Sequence, residues 1–254
     1  MCSTACVANT GPFLAVLRLG LPPHLIWRHP FPGPGLGVRL LCHPGGDAVA
    51  GIDLAERATQ ISNIEKLAGE GVNVTIPFLK SVGVQGDART YRNFAILGGA
   101  YTREWPDIDA LATKIINSQG LVNRVTISLC NNESGSTQPA YAVPKGKSTC
   151  TKDRFDLLRV ADNIVTEELR RNDLIRSIWQ CPVAMAPLGD ESGTKETIIL
   201  RPVTSTEAMT AEFSKVPWKV LDVIQKRILA ETEGRILDVL YDVTNKPPGT
   251  IEWE

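Results

Sequence analysis

Two stretches of the chain repeat one pattern. Residues 108–129, IDALATKIINSQGLVNRVTISL, and residues 220–243, VLDVIQKRILAETEGRILDVLYDV, each run from a helix into a strand with apolar residues at matching positions. Two similar α+β units in one chain tend to pack as a pseudo-symmetric pair, because the face that serves a homodimer interface can serve the intrachain one. The fold class this predicts is α+β: two tandem similar units, each a small β-sheet packed with helices. Chance similarity between two amphipathic segments is the competing explanation.

The rest of the chain supports the same element order twice. In residues 38–130, VRLLC from Val38 predicts a strand and residues 52–68 predict a helix, with Leu54, Ala58, Ile61, Ile64 and Leu67 among its apolar positions. Strands are expected at 74–84 and 92–97, a helix at 106–118 and a strand at 122–129. Residues 131–153, rich in Ser, Thr, Asn, Gly and Pro, predict a linker. Residues 154–254 then give a helix at 154–170, strands at 183–187 and 197–203, a helix at 217–231 and a strand at 236–243. Residues 1–37 form an irregular N-terminal segment, and its end, LPPHLIWRHPFPGPGLG, reads by composition as a stiff linker.

Composition removes several classes of function. The 27 basic and 28 acidic side chains cancel to −1, which argues against a protein whose affinity rests on a basic face for nucleic acid. Lys145, Lys147, Lys152 and Arg154 cluster in and beside the linker, where charges are usually only solvated. No apolar run reaches the ~18 residues of a membrane span, and the N-terminus lacks a basic start and a long apolar stretch, so neither membrane nor secretion is expected. Six cysteines thinly spread through 254 residues fit reduced thiols in the cytosol, with Cys42, Cys130 and Cys181 as buried hydrophobes.

The chemistry of the motifs is selective. There is no G-x-x-x-x-G-K-[ST] loop, no G-x-G-x-x-G after a strand and no Ser-Gly-Gly-x-Asp-Ser loop. His24, His29 and His43 lack the partners of a metal site, so no metal ligands are expected. The turn Gly86-Asp87-Ala88-Arg89 offers a carboxylate for ribose or base edges and a guanidinium fork for phosphate, although an ordinary hairpin turn fits too. The C-terminus, YDVTNKPPGTIEWE, is stiffened by Pro247 and Pro248, and it carries Lys246 as a point charge and Glu252 as an acceptor; a structurally docked tail is the alternative.

Taken together, HPFPGPGL at 29–36, KSVGVQGDAR at 80–89, MTA at 209–211 and KPPGTIEWE at 246–254 resemble glutamine-hydrolysing GMP synthase. The resemblance runs from about Leu19 to Glu254, and the duplicated unit is similar to the form with two tandem dimerisation domains, whose members tend towards monomers or weak dimers. It implies adenylation of the 2-carbonyl oxygen of XMP by ATP with magnesium, followed by displacement of AMP by glutamine-derived ammonia to give GMP. Carried over by motif, XMP-contacting positions fall on Asp87, Gln180, Lys246 and Glu252. Arg89, Gly33, Gly35 and Thr250 are further candidates for phosphate or loop contacts, the glycines because the HPFPGPG loop closes the ATP-pyrophosphatase domain against the dimerisation domain. This sequence departs from the family in lacking the amidotransferase triad and the pyrophosphatase phosphate loop. No catalytic residue is therefore expected here. ATP and Mg are expected through the pyrophosphatase domain rather than bound by this chain, which is expected to be inactive alone and to find XMP, itself or full-length enzyme as partners. A non-catalytic association module is the alternative.

Overall fold

The computed structural model describes residues 35–46, 53–86, 88–130, 139–190, 193–206 and 209–254, together with Pro22 and His29. Helix α1 (Leu54–Ala68) begins where the Asp53 carboxylate accepts hydrogen bonds from the Ala55 and Glu56 amides at 2.9 and 3.0 Å. Strand β1 (Val72–Thr75) and strand β2 (Lys80–Gln85) both pair antiparallel with the long strand β3 (Ala88–Gly99). Helix α2 (Trp105–Gln119) then crosses to strand β4 (Val122–Ser128), which runs parallel to β3.

The second half follows the same course. Helix α3 (Lys152–Arg171) is capped by the Thr151 hydroxyl, which accepts from the Arg154 amide at 3.3 Å. Strand β5 (Val183–Ala186) is antiparallel to β6 (Glu196–Leu200), and helix α4 (Trp218–Glu231) crosses to β9 (Ile236–Asp242), parallel to β6. Between β6 and α4 a separate ribbon pairs β7 (Val203–Thr204) with β8 (Glu212–Phe213).

Antiparallel pairing of β4 with β9, Ile127 opposite Tyr241, joins everything into one seven-stranded sheet of order β1-β3-β4-β9-β6-β5, with β2 also on β3. Among the described residues the fold is thus α+β with four helices. Where separate small sheets were expected, there is one continuous sheet.

Period-two alternation sorts the side chains. Ala95, Leu97, Val125, Ile127, Val239 and Tyr241 face the core that Ile64, Ile115, Leu158, Ile164, Leu221 and Ile228 of the helices complete. Phe94, Ile96, Ile199 and Leu240 face the other way, where no helix of the described residues packs. There the cover comes from Leu41, Leu79, Tyr141, Val143 and Trp253. Among the described residues no helix is long and apolar enough to cross a membrane.

Two sequence expectations need correcting. The stretch from Val38 to Cys42 is not a strand: a 3-10 turn (Gly37–Arg39) leads into single bridges, Leu40 beside Met185 and His43 beside Ser148. Leu40 and Leu41 are both buried because they enter opposite cores at the β5 edge, which mimics strand alternation. Residues 74–84 are not one strand either. The chain breaks around Pro77, and the carbonyls of Ile76, Pro77 and Leu79 accept from the side chains of Arg57 and Asn93 instead of from a neighbouring strand. Residues 139–151, assigned to a linker by composition, lie against the sheet. Ala142 pairs with Gly189, and the Tyr141 hydroxyl donates to Asp238.

Candidate functional site

The C-terminal tail after β9 is clamped by buried charge. Arg124 on β4, Arg201 just past β6 and Asp242 at the end of β9 have fully buried side chains, and Asp242 Oδ2 lies 2.9 Å from Arg124 Nη1 and 3.3 Å from Arg201 Nε. Two guanidiniums share one carboxylate, so the remaining donors need other acceptors. The tail supplies them. Arg124 Nη2 donates to Thr250 Oγ1 at 2.7 Å, to the Glu252 carbonyl at 2.5 Å and to the Val82 carbonyl at 2.9 Å. Arg201 donates to the carbonyls of Thr244 and Thr250. Burial lowers both arginines from their ordinary values, with Asp242 opposing the shift in each; Arg124 falls to about 10 and so stays charged at neutral pH.

Backbone pairing extends the clamp. The Val82 amide donates to the Trp253 carbonyl at 3.1 Å and the Val84 amide to the Pro248 carbonyl at 2.7 Å. This approach requires glycine at 83, where a Cβ would stand 2.7 Å from the Pro248 oxygen; at Gly249 the space is tight, a Cβ standing 3.2 Å from Arg124 Nη1. Trp253, only 2% exposed, meets the Phe94 ring edge-on at 4.9 Å, while the Arg124 guanidinium sits 4.8 Å from its own ring centroid.

Docked in this way, the tail brings two sequence motifs together. A cavity of about 440 Å³ is walled by Val84, Gln85 and Gly86 from the β2–β3 turn, by Ala112, Ile116 and Asn117 from α2, and by Asn245, Pro247 and Pro248 from the tail. A second, of about 420 Å³, opens on the other side of Asn245 and is lined by Thr204, Ser205, Thr206, Thr210, Glu212 and Lys246. Lys246 is held there by two backbone hydrogen bonds with Ala211, at 2.7 and 3.1 Å. Asn245 stands between the cavities, its amide donating to Asp109 and its carbonyl oxygen accepting from the Phe213 amide. One cavity offers apolar walls with amide groups at its rim; the other offers hydroxyls and an ammonium.

The expected residues are distributed unevenly around this site. Asp87 and Gly33 lie outside the described residues. Arg89 is exposed on β3 opposite Val84, at the turn beside the first cavity. Gln180 is buried and pairs through its backbone with Val203, which in turn pairs with Phe213 of the ribbon that leads to Ala211 and Lys246. Glu252 has an exposed side chain, and its carbonyl is held by Arg124. The Thr250 hydroxyl is engaged by Arg124 and by the Val82 carbonyl, and Gly35 is exposed and lines neither cavity. Arg124, Arg201, Asp242 and Asn245 were not expected from sequence. Among the described residues no group of three or more His, Cys, Asp or Glu gathers to hold a metal.

Residues 167–253, from the end of α3 to Trp253, match the family model described as GMP synthase C terminal domain. Over this stretch the chain is similar to the C-terminal domain of GMP synthases. Similarity to GMP synthases extends over both halves: the chain is 38% identical over 238 residues to proteins named "Probable GMP synthase [glutamine-hydrolyzing]" from two strains of Leptospira interrogans, covering 93% of this chain and 37% of theirs. Over 111 residues it is 49% identical to the GMP synthase of Thermobifida fusca and 50% to that of Bifidobacterium longum, covering 41% of this chain and 21% of each. The chain therefore spans little more than a third of the length of the Leptospira GMP synthases it resembles.

Proposed function

We propose that this chain is the XMP-binding and dimerisation region of a GMP synthase, contributing to the reaction in which XMP, ATP, glutamine and water give GMP, AMP, pyrophosphate and glutamate. The observation that carries the reading is the convergence of the VGVQG turn and the KPPG tail on adjoining cavities, with Lys246 beside a cluster of hydroxyls. Lys246 neutralises phosphate charge, and Ser and Thr hydroxyls complete its oxygens. Asp87, Gln180 and Glu252 satisfy ribose and purine polar edges that are costly to bury unpaired. Arg89 at the turn is a second phosphate contact. ATP with magnesium, and the ammonia from glutamine, are handled by pyrophosphatase and amidotransferase domains whose motifs these 254 residues lack. Alone the chain binds XMP and turns nothing over.

The strand order also supports a duplication. Outward from the β4–β9 pair, each half runs through a parallel strand joined by a crossover helix to an antiparallel edge strand. The two halves are a pseudo-symmetric pair in which β4 and β9 use within one chain the edges that two copies of a single unit would use between chains. Light scattering is expected to give a monomer or a weak dimer.

Calorimetry tests the site. XMP is expected to bind the wild type, and Lys246→Ala to weaken it at least about tenfold, or about 1.4 kcal/mol. No binding by the wild type, or binding unchanged by Lys246→Ala, would overturn the reading.

A further inference from the structure

Two thiols that lie 108 residues apart in sequence are adjacent in space. Cys42 Sγ is 3.7 Å from Cys150 Sγ, with Cys42 half-buried and Cys150 exposed. Their closeness is fixed by the surrounding backbone. His43 and Ser148 pair antiparallel through two hydrogen bonds, at 3.1 and 2.8 Å, one residue after Cys42 and two before Cys150. A single guanidinium holds the other side: Arg154 Nη2 donates to the carbonyl of Leu41 and Nη1 to that of Thr149, both at 2.9 Å, the residues immediately preceding the two cysteines. Arg154 is itself fixed by a two-pronged ion pair with Glu196, at 2.5 and 2.8 Å, and is buried. Cys130 and Cys181 are held apart from this arrangement, and burial pushes both thiols well above the ordinary range.

We infer that Cys42 and Cys150 form a reversible redox pair that closes to a disulfide under oxidising conditions. The gap to a bonded S–S distance of about 2.05 Å is about 1.7 Å, within reach of side-chain rotation at an exposed cysteine. The oxidant is a small-molecule disulfide such as oxidised glutathione. Exposed Cys150, as thiolate, attacks one of its sulfurs, forming a mixed disulfide and releasing one glutathione. The Cys42 thiolate then attacks Cys150 Sγ, forming the protein disulfide and expelling the second glutathione. The protein loses two thiol protons and two electrons; the oxidant gains both and leaves as two thiols. The bond fastens the 139–151 segment, whose Ser148 and Thr149 help line a cavity of about 860 Å³, to the segment entering the first half of the fold. In a reducing compartment such a pair is a sensor rather than a permanent staple.

The test is treatment of the native chain with oxidised glutathione, followed by tryptic mapping without reductant. The expected product links peptide 40–57 to peptide 148–152 and is reversed by dithiothreitol. Cys42→Ser is expected to stop at a glutathione adduct on Cys150, the signature of a missing resolving thiol, and Cys150→Ser to give no cross-link to peptide 40–57. A wild-type chain that accumulates the Cys150 adduct, or that pairs Cys150 with Cys2 or Cys6 instead, would overturn the inference.

Discussion

Replacing Trp253 by alanine removes the large side chain by which the tail enters the core around Phe94, Ile96, Ile199 and Leu240. A buried tryptophan covers about 150–250 Å², which at ~25 cal/mol per Å² corresponds to about 4–6 kcal/mol. That is an upper bound, because the unfolded chain already hides part of the surface. Measured Trp→Ala costs of about 3–5 kcal/mol are the better guide. For a domain of this size, 1 kcal/mol moves Tm by about 2–4 °C, so a drop of about 6–20 °C is expected. The structure also says where the loss should appear. The Val82 amide donates to the Trp253 carbonyl and the Val84 amide to the Pro248 carbonyl, so hydrogen exchange at both should accelerate, with little change in helix α3. If the tail carries the XMP site, affinity falls too, although Lys246 is untouched. Trp253→Phe is the discriminating control. It keeps a ring against Phe94, and among the described residues Trp253 Nε1 has no hydrogen-bond partner, so losing that donor relieves a buried polar group while the smaller ring loses some packing. The phenylalanine variant should stay within about 1 kcal/mol of wild type. An alanine variant with Tm within about 2 °C of wild type and with Val82 and Val84 still protected would refute the view that Trp253 anchors the tail.

Asp242→Ala leaves Arg124 and Arg201 buried without their shared carboxylate. Removing one partner of a buried pair costs about 3–5 kcal/mol, so calorimetry should show a loss at least as large as that of Trp253→Ala. Gly83→Ala places a Cβ 2.7 Å from the Pro248 oxygen and from Asn123 Nδ2, and overpacking of about 1–3 kcal/mol should register as lower Tm and faster exchange at Val84. Burial raises the Asp238 carboxyl above its ordinary value, so the folded chain holds this proton more tightly than the unfolded one. That contribution is complete below about pH 4 and is lost as pH rises through the folded value, so Asp238→Asn should gain stability relative to wild type as pH rises above about 4. Denaturation curves giving a pH-independent difference would contradict this.

Helices were the most legible part of the fold. The apolar positions from Leu157 to Leu169 and from Val220 to Ile228 face one core, and α3 and α4 fall within two residues of their expected ends. Strands were legible where alternation coincided with continuous pairing, as in β4 and β9. They failed where burial alternated without a partner strand, at Leu40 and Leu41, and where Pro77 divided an apolar run. The tail and the VGVQG turn could be named as candidate site segments because their residue types are chemically unusual. What holds them together could not. Arg124, Thr126 and Ser128 alternate with Val125 and Ile127 like the solvent face of a half-exposed strand, yet all are buried. The tail's return across that face, together with the cover from Leu41, Leu79, Tyr141 and Val143, makes the polar row internal, and the tail's part depends on pairing between residues more than 100 apart in sequence.

The same pairing explains why the site belongs to neither half alone. Residues 167–253 contain Lys246, Asn245, Gln180 and the whole tail, but the tail's hydrogen-bond partners at Val82 and Val84 and its deepest charge, Arg124, lie in the first half. Without them the Glu252 and Trp253 carbonyls lose their donors, Asp242 keeps one arginine of two, and Trp253 loses the Phe94 edge against which it packs. A tail so deprived has no reason to hold Pro247 and Pro248 against the wall of the first cavity. The position of Lys246 thus rests both on its backbone pairing with Ala211 and on first-half residues that carry none of the proposed binding chemistry. On the duplication reading, a protein with a single unit would have to take the same contacts from a second copy, which makes assembly and substrate binding one physical requirement.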